Sequence, residues 1–345
     1  MKKLKRDTEK FDVLELFSSM AIKHGYKLTE PTDIKDFIKR VEVSIEASKN
    51  NNIAIFGKRT ESLFAYVVGS LAEVKLLKQE DSGFLHSTES IIEIPDFRLT
   101  LNSGEQFFVE VKNYHEKNPR KKYSIKKSYY DKLKKYSDLN KLELKFAIFF
   151  SAWNYWVLLP INAFQENKNS YVIDIGRAIA LSEMSTLGDC MVGTTPNLEL
   201  HMLADEDEAS EINSDNEASF ITRQVKIYCA GKEVIDSVEQ SMAIYLIRYG
   251  EWRENKTEAI VEENKLLGMK FIYSPEGEPE LNFTIIGTLS TMISNGFKDY
   301  TVEEGNVVAV DLSFPTDFFR FFIPKDYKGI RLPLWQFKNE PNKNF

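Results

Sequence analysis

Cysteine and histidine are both scarce in this chain. Its 345 residues hold two cysteines, Cys190 and Cys229, and four histidines, His24, His86, His115 and His201. So few thiols and imidazoles, none at ligand spacing, exclude Cys-rich zinc modules and a disulfide framework. Any metal is then a hard cation held by carboxylates. Long apolar runs are missing too. Nothing approaches the ~20 residues of a membrane span, and the longest stretches, 146–150 and 157–160, are strand-sized. Behind the basic start MKKLKRDTEK, residues 11–20 interleave Asp12, Glu15, Ser18 and Ser19 with apolar positions. A signal peptide needs a continuous apolar core there, so the expectation is a cytoplasmic protein with no membrane association. A glycine-rich phosphate loop is also lacking: Gly57-Lys58-Arg59-Thr60 has no upstream glycine at the required spacing.

What is present is an ordinary globular composition, 43% hydrophobic and 28% charged, which excludes collagenous and disordered classes. The length suggests two domains or three. The net charge of −7 hides an asymmetry. Residues 112–145 hold twelve Lys/Arg against four Asp/Glu, a net of +8. Residues 199–217 hold eight Asp/Glu and no Lys/Arg, a net of −8. A basic stretch inside an acidic protein is either a solvated helix face or a local electrostatic footprint for a polyanion.

Periodicity predicts a helical lead-in: a helix over 11–24 closed by Gly25, and a second over 33–47 with Ile34, Phe37, Ile38, Val41 and Ile45 on one stripe. A third helix is expected over 60–72, with Leu63, Phe64, Val67, Val68 and Leu71 apolar and Thr60 as N-cap. Strands follow at 74–78, 91–101 and 106–113. A helix is then read over 125–137, capped by Ser124, with the stripe Ile125, Tyr129, Leu133 and Tyr136. Strands at 145–151 and 155–159 complete an α/β/α unit. Residues 205–217 have almost no apolar content and read as an exposed linker. Beyond them lie strand-like 224–229 and 306–314 and helix-like 238–249 and 285–294.

The informative residues are Ile94-Pro95-Asp96 and Val109-Glu110-Val111-Lys112. Asn102-Ser103-Gly104 suits a three-residue hairpin turn, with Gly104 in the left-handed position. Leu101 then pairs with Glu105, which places Asp96 opposite Glu110 on one face. Alternation puts Lys112 on that face too. The other face carries Phe97, Leu99, Leu101, Phe107, Val109 and Val111. Opposed carboxylates ~5 Å apart repel and destabilise a sheet unless a positive charge lies between them. A divalent cation meets that need, because Mg²⁺ is commonly held by one or two carboxylates, waters and a substrate phosphate. Such an ion polarises a phosphoryl oxygen and acidifies a bound water. Lys112 would orient that water or stabilise charge in the transition state.

With Pro95 and a preceding helix, Asp96…Glu110-Val111-Lys112 resembles the PD-(D/E)xK phosphodiesterase superfamily, whose restriction-endonuclease-like core is found in archaeal Holliday-junction resolvases and many restriction and repair nucleases. The resemblance covers about 100 residues. It implies an α/β fold, an α/β/α core around a central mixed sheet, with the order helix, three strands, helix, strand. It implies Asp96 and Glu110 as metal ligands, the Val111 carbonyl beside them, and Lys112 as the catalytic lysine. It also implies an acidic residue on the first helix. Glu61 and Glu73 compete for that role; Glu61, beside Gly57-Lys58-Arg59, is favoured, and Glu80 and Glu93 are outsiders.

On this reading residues 1–56 are a helical N-terminal region, 57–198 the nuclease-like domain, 199–218 an acidic linker and 219–345 an α+β accessory domain. Lys117, Arg120, Lys121, Lys122, Lys126, Lys127 and Lys134, with Lys135 behind them, would hold phosphates. Tyr123 and Tyr130 read as packing residues, His115 as a surface histidine, and Trp153 and Trp156 as sheet packing. Phe314, Phe318, Phe319, Phe321, Phe322 and Trp335 read as core. The expected activity is Mg²⁺- or Mn²⁺-dependent endonucleolytic hydrolysis of phosphodiesters, DNA ahead of RNA, in prokaryotic defence, restriction or repair. The C-terminal domain would dimerise or bind a protein partner. The alternatives are an RNA-directed or partner-activated nuclease, and a catalytically silent nucleic-acid-binding or assembly protein that kept the fold.

Overall fold

Two amphipathic helices lead into the fold, α1 (Val13–His24) and α2 (Pro31–Lys49). They meet through Phe17 and Phe37, whose ring centroids are 5.2 Å apart, and α1 stops at Gly25 in the left-handed conformation. The computed structural model describes residues 9, 12–49, 51–80, 85–88, 91–205, 207, 209–277, 282–324 and 326–342; position 11, the expected start of the first helix, lies outside them.

Helix α3 (Asn52–Leu71) is longer than its apolar stripe. Asn51 caps it by accepting from the Ala54 N–H at 3.2 Å, nine residues before the expected cap. Thr60 is therefore interior, and its hydroxyl bonds back to the Phe56 carbonyl at 2.6 Å. Leu63, Phe64, Val67, Val68 and Leu71 are buried, as their spacing requires.

The central sheet has the order β1 (Val74–Gln79), β2 (Phe97–Leu101), β3 (Gln106–Tyr114), β5 (Glu143–Phe150), β6 (Tyr155–Pro160). Only β3 and β5 run parallel. The β2–β3 hairpin has the register the turn dictates: Phe97 faces Val109 and Arg98 faces Phe108. Gly104 supplies the left-handed turn residue at φ 92°. Strand β2 begins at Phe97, not at 91, since Pro95 has no N–H to give the ladder. Between β3 and β5 the chain departs further from expectation. β4 (Tyr123–Lys126) is a strand, in a small sheet with β7 (Gln165–Glu166) and β8 (Ser170–Ile173). Helix α4 (Lys127–Asn140) starts only after it, so Ser124 is not its cap and Ile125 is not on its stripe. Short α5 (Ile175–Ala180) is capped by Asp174, which accepts from Arg177 N–H. The two faces of the sheet are both covered. Phe64 of α3 packs on Phe97 and Trp156, while Tyr130 and Leu133 of α4 join Phe108, Phe146 and Ile148.

A second sheet has β10 (Leu198–Leu203) at its centre, flanked by β11 (Gln224–Cys229) and β12 (Lys232–Glu233) on one side. On its other side are β14 (Lys265–Ser274) and β13 (Arg253–Glu262). Helix α6 (Ser237–Tyr249), capped by Asp236, packs Met242, Ala243 and Leu246 with Leu198, Ile227 and Cys229. A three-stranded sheet joins β15 (Thr284–Thr288) to β9 (Met191–Thr194), and α7 (Leu289–Thr301) follows β15. A ribbon of β16 (Val302–Glu303) and β17 (Asn306–Val307) comes next, and β18 (Leu334–Phe337) completes the three-stranded sheet.

These elements form two compact units. The first is Met1–Leu187 with Phe297–Phe319 and Pro341–Phe345; the second is Gly188–Gly296 with Arg320–Glu340. This division differs from cuts at 56, 198 and 218. The first cut falls inside α3, and residues 199–203 of the acidic stretch are a central strand. Residues 297–319 return to the first unit. Tyr66 donates to the Leu312 carbonyl (2.7 Å), Ser70 to that of Thr316 (3.1 Å), and buried Arg59 to the Thr301 hydroxyl (2.9 Å). A Cβ on Gly69 would lie 2.6 Å from Thr316, so glycine is what admits this segment. The C-terminal aromatics are accordingly split. Phe319 is buried in the first unit and Phe321 in the second, while Phe318 and Phe322 stay exposed rather than packing in a core.

Candidate active site

Asp96, Glu110 and Lys112 converge at one end of the β2–β3 hairpin. Asp96 lies just before β2, where its carboxylate replaces the missing ladder partner: Val111 N–H donates to Asp96 Oδ2 at 2.6 Å. Glu110 and Lys112 follow on the same face of β3, one pleat apart. Helix α4 covers that face, so the polar triplet is not solvated as the hairpin alone implies. Glu110 is 2% exposed.

The two oxygens of Glu110 are treated unequally. Oε1 accepts from Lys112 Nζ and from the Tyr129 hydroxyl, the latter at 2.5 Å. Oε2 is buried with no hydrogen-bond partner among the described residues. An unsatisfied buried acceptor costs about 1–3 kcal/mol. Asp96 shows the same imbalance electrostatically. Burial and the Glu110 charge push its carboxyl up to about 8, against the opposing pulls of the Val111 N–H and Lys112.

Tyr129 stands on the first turn of α4. Its hydroxyl is 3.3 Å from Lys112 Nζ, which also lies 5.0 Å from the ring centroid. Burial and Glu110 hold its phenol far above the usual range, so it remains a donor. The sequence reading placed Tyr129 on an apolar stripe and missed this. The available signal was a hydroxyl on the helix that must pack against the Glu110 face.

A groove of about 410 Å³ opens beside this cluster, lined by Phe56, Gly57, Glu61, Lys112, Asn113 and His115 among others. Glu61 is thus on the site side of α3, paired with Lys58 at 2.7 Å. Glu73 lies past the other end of α3, where its backbone carbonyl accepts from Asn102 of the hairpin turn. Glu80 is held by Arg98, Lys78 and the Tyr136 hydroxyl. The basic segment is only partly available. Lys121 pairs with Glu116 (2.6 Å), Lys127 with Glu166 (2.5 Å) and Lys134 with Asp138 (2.6 Å), and Lys122 donates to Gln165 (2.7 Å). Lys117, Arg120 and Lys126 are exposed, with no ion pair to another described residue. Tyr130 is buried against Tyr171, and Tyr123 packs on Tyr114.

No cluster of three or more His, Cys, Asp or Glu able to cage a metal occurs among the described residues. A magnesium-type site does not require one, because water and substrate oxygens complete its shell. Two carboxylates at Asp96 and Glu110, one of them with a buried oxygen lacking a partner, have the chemistry of such a donor set. No described helix is long and apolar enough to cross a membrane.

No protein-family model matches the chain, and no curated protein matches it. Among solved structures it is similar to the Holliday junction resolvase Hjc of the archaeal hyperthermophile Archaeoglobus fulgidus, at 14% identity and a TM-score of 0.24, over 31% of this chain and 81% of that one.

Proposed function

We propose that the first unit is a PD-(D/E)xK-type nuclease core that hydrolyses phosphodiester bonds with Mg²⁺ or Mn²⁺, with DNA as its substrate. One observation carries the reading: Glu110 Oε2 is buried with no partner among the described residues, beside a carboxyl whose charge is disfavoured by burial and then by Glu110 itself. A chain builds this repulsion where a cation relieves it.

Asp96 and Glu110, with the Val111 carbonyl next to them, would hold the ion. When bound it would polarise the scissile phosphate and supply an acidified water. Lys112, which pairs with Glu110, would offset charge that develops on the phosphorus oxygens. Tyr129 fixes the carboxylate and the lysine together, which makes it a positioning residue. Glu61 faces the same groove and would bind water or a second ion there. Lys117, Arg120 and Lys126, with the paired lysines around them, would hold flanking phosphates. The second unit would supply specificity or a protein interface, and defence, restriction or repair is the biological setting this activity suits.

The test is plasmid incubation with Mg²⁺ or Mn²⁺, comparing the natural chain with Asp96→Asn and Lys112→Ala. Metal-dependent nicking that disappears in both variants supports the assignment. Cutting that survives both removes it, and binding without cutting under either metal favours a silent nucleic-acid-binding protein.

A further inference from the structure

Trp156 is buried to 1% exposure in the central sheet, as a strand tryptophan should be, but Trp153 is 47% exposed. Tryptophan is rarely left so open, because its large apolar surface favours burial. It is also held in place. It sits on the tight β5–β6 turn, where its N–H donates to the Phe150 carbonyl (2.9 Å) and Asn154 takes the left-handed conformation (φ 50°). Its indole N–H donates to the Glu116 carbonyl at 3.1 Å, pinning the ring to the segment that leaves β3. One residue earlier, His115 lines the groove beside Lys112 and hydrogen-bonds the Ser151 hydroxyl of the same turn (Nδ1 to Oγ 3.1 Å). Exposed Lys117 and Arg120 follow directly, and Lys121 is tied to Glu116.

We propose that Trp153 is a base-stacking platform, and that the substrate presents an unpaired nucleobase beside the groove that holds Lys112. The inference rests on the nuclease reading and names its substrate class: a single strand, or a duplex with a bulge or flap, in preference to continuous duplex. An indole face that is open, rigid and flanked by cations has the components of single-strand recognition, aromatic stacking next to backbone-tracking charge. In an intact duplex every base is already stacked and offers this ring no face.

The experiment is fluorescence anisotropy of the full chain with three labelled probes: a 30-nucleotide single strand, the matching duplex, and that duplex with a three-nucleotide bulge. It is run in EDTA, so cleavage plays no part. Trp153→Ala is expected to weaken the single strand and bulged duplex about tenfold and the plain duplex less than twofold. Trp153→Phe should restore most of the loss, which separates stacking from damage to the turn. Equal weakening on all three probes, or no weakening on any, overturns the platform while leaving the cleavage test of Lys112→Ala untouched. A wild-type chain that binds none of the three probes overturns the platform and leaves the nuclease reading to the plasmid test. Trp153-dependent binding by a chain that never cuts upholds the platform and rejects the nuclease reading. Ribose and deoxyribose versions of the single strand separate RNA from DNA as its source.

Discussion

Each compact unit carries a charged cluster on a sheet, and the two clusters are balanced differently. In the second unit Glu199 and His201 neighbour one another on β10, with Lys270 on the adjacent β14 and Glu258 on β13 beyond it. Glu199 Oε2 meets His201 Nε2 at 2.9 Å and Lys270 Nζ at 3.3 Å, Lys270 also reaches Glu258 (3.6 Å), and His201 stacks on Tyr228. Opposite charges alternate and each carboxylate finds a partner. A buried acid of the second unit is satisfied too: Asp189 accepts from the Ser290 N–H (3.0 Å) and hydroxyl (2.5 Å). In the first unit two acids face one lysine, and Glu110 Oε2 has no hydrogen-bond partner among the described residues. Side-chain pairing that closes on itself stabilises a fold; pairing that is left open indicates a missing partner.

The largest expected effect sharpens this contrast. Glu110→Ala should reduce metal-dependent cleavage at least about 100-fold, the scale of losing one electrostatic contact to a transition state. Glu199→Gln should leave cleavage rates within twofold. Equal losses would erase the distinction between the clusters. The metal should also raise the melting temperature of the natural chain and not that of Glu110→Ala, since a ligand that binds only the folded state stabilises it.

Next in size is the cost of opening the closed cluster. Ser290→Ala removes the hydroxyl donor to the buried Asp189 carboxylate and should destabilise the chain by about 1–3 kcal/mol in urea titration. An unchanged midpoint would mean that Asp189 is not held as a charged acceptor.

The pH dependence separates the two acids by range. Both carboxyls have raised values in the folded chain, so the folded state keeps protons that the unfolded state releases. Stability from such a group is complete below the unfolded value near 4 and declines as pH rises. For Asp189, raised by burial to about 6, the decline ends near pH 6. For Asp96, at about 8 without metal, it continues to about pH 8. In EDTA the difference in melting temperature between the natural chain and Asp96→Asn should therefore still change between pH 6 and 8, where that for Asp189→Asn is flat. The smallest effect is Lys117→Ala with Arg120→Ala. The slope of log affinity against log salt should fall by about two, with little change in which probe is preferred.

The hairpin register was legible because a turn of fixed length leaves a single alternation that buries Phe97, Leu99, Phe107 and Val109 together. The convergence of Asp96, Glu110 and Lys112 followed from that register. The Tyr129 contact was not legible, since a helix stripe does not distinguish a ring used for packing from one used for its hydroxyl. The start of α3 was misplaced because Thr60 and Asn51 are both cap-forming residue types, and the structure puts Thr60 inside the helix while Asn51 accepts from the Ala54 N–H. Trp153 and Trp156 were read alike, yet the turn between β5 and β6 buries one and presents the other.

Local order and periodicity, which depend on chemistry within a few residues, sufficed to determine the elements of the central sheet, its acidic and basic segments and the pairing of β2 with β3. The return of residues 297–319 onto α3, the burial of Glu110 beneath α4 and the lone position of its second oxygen were decided only in three dimensions. Those features join groups from different helices and strands, in the case of Ser70 and Thr316 separated by 246 residues, and no local pattern encodes such a meeting.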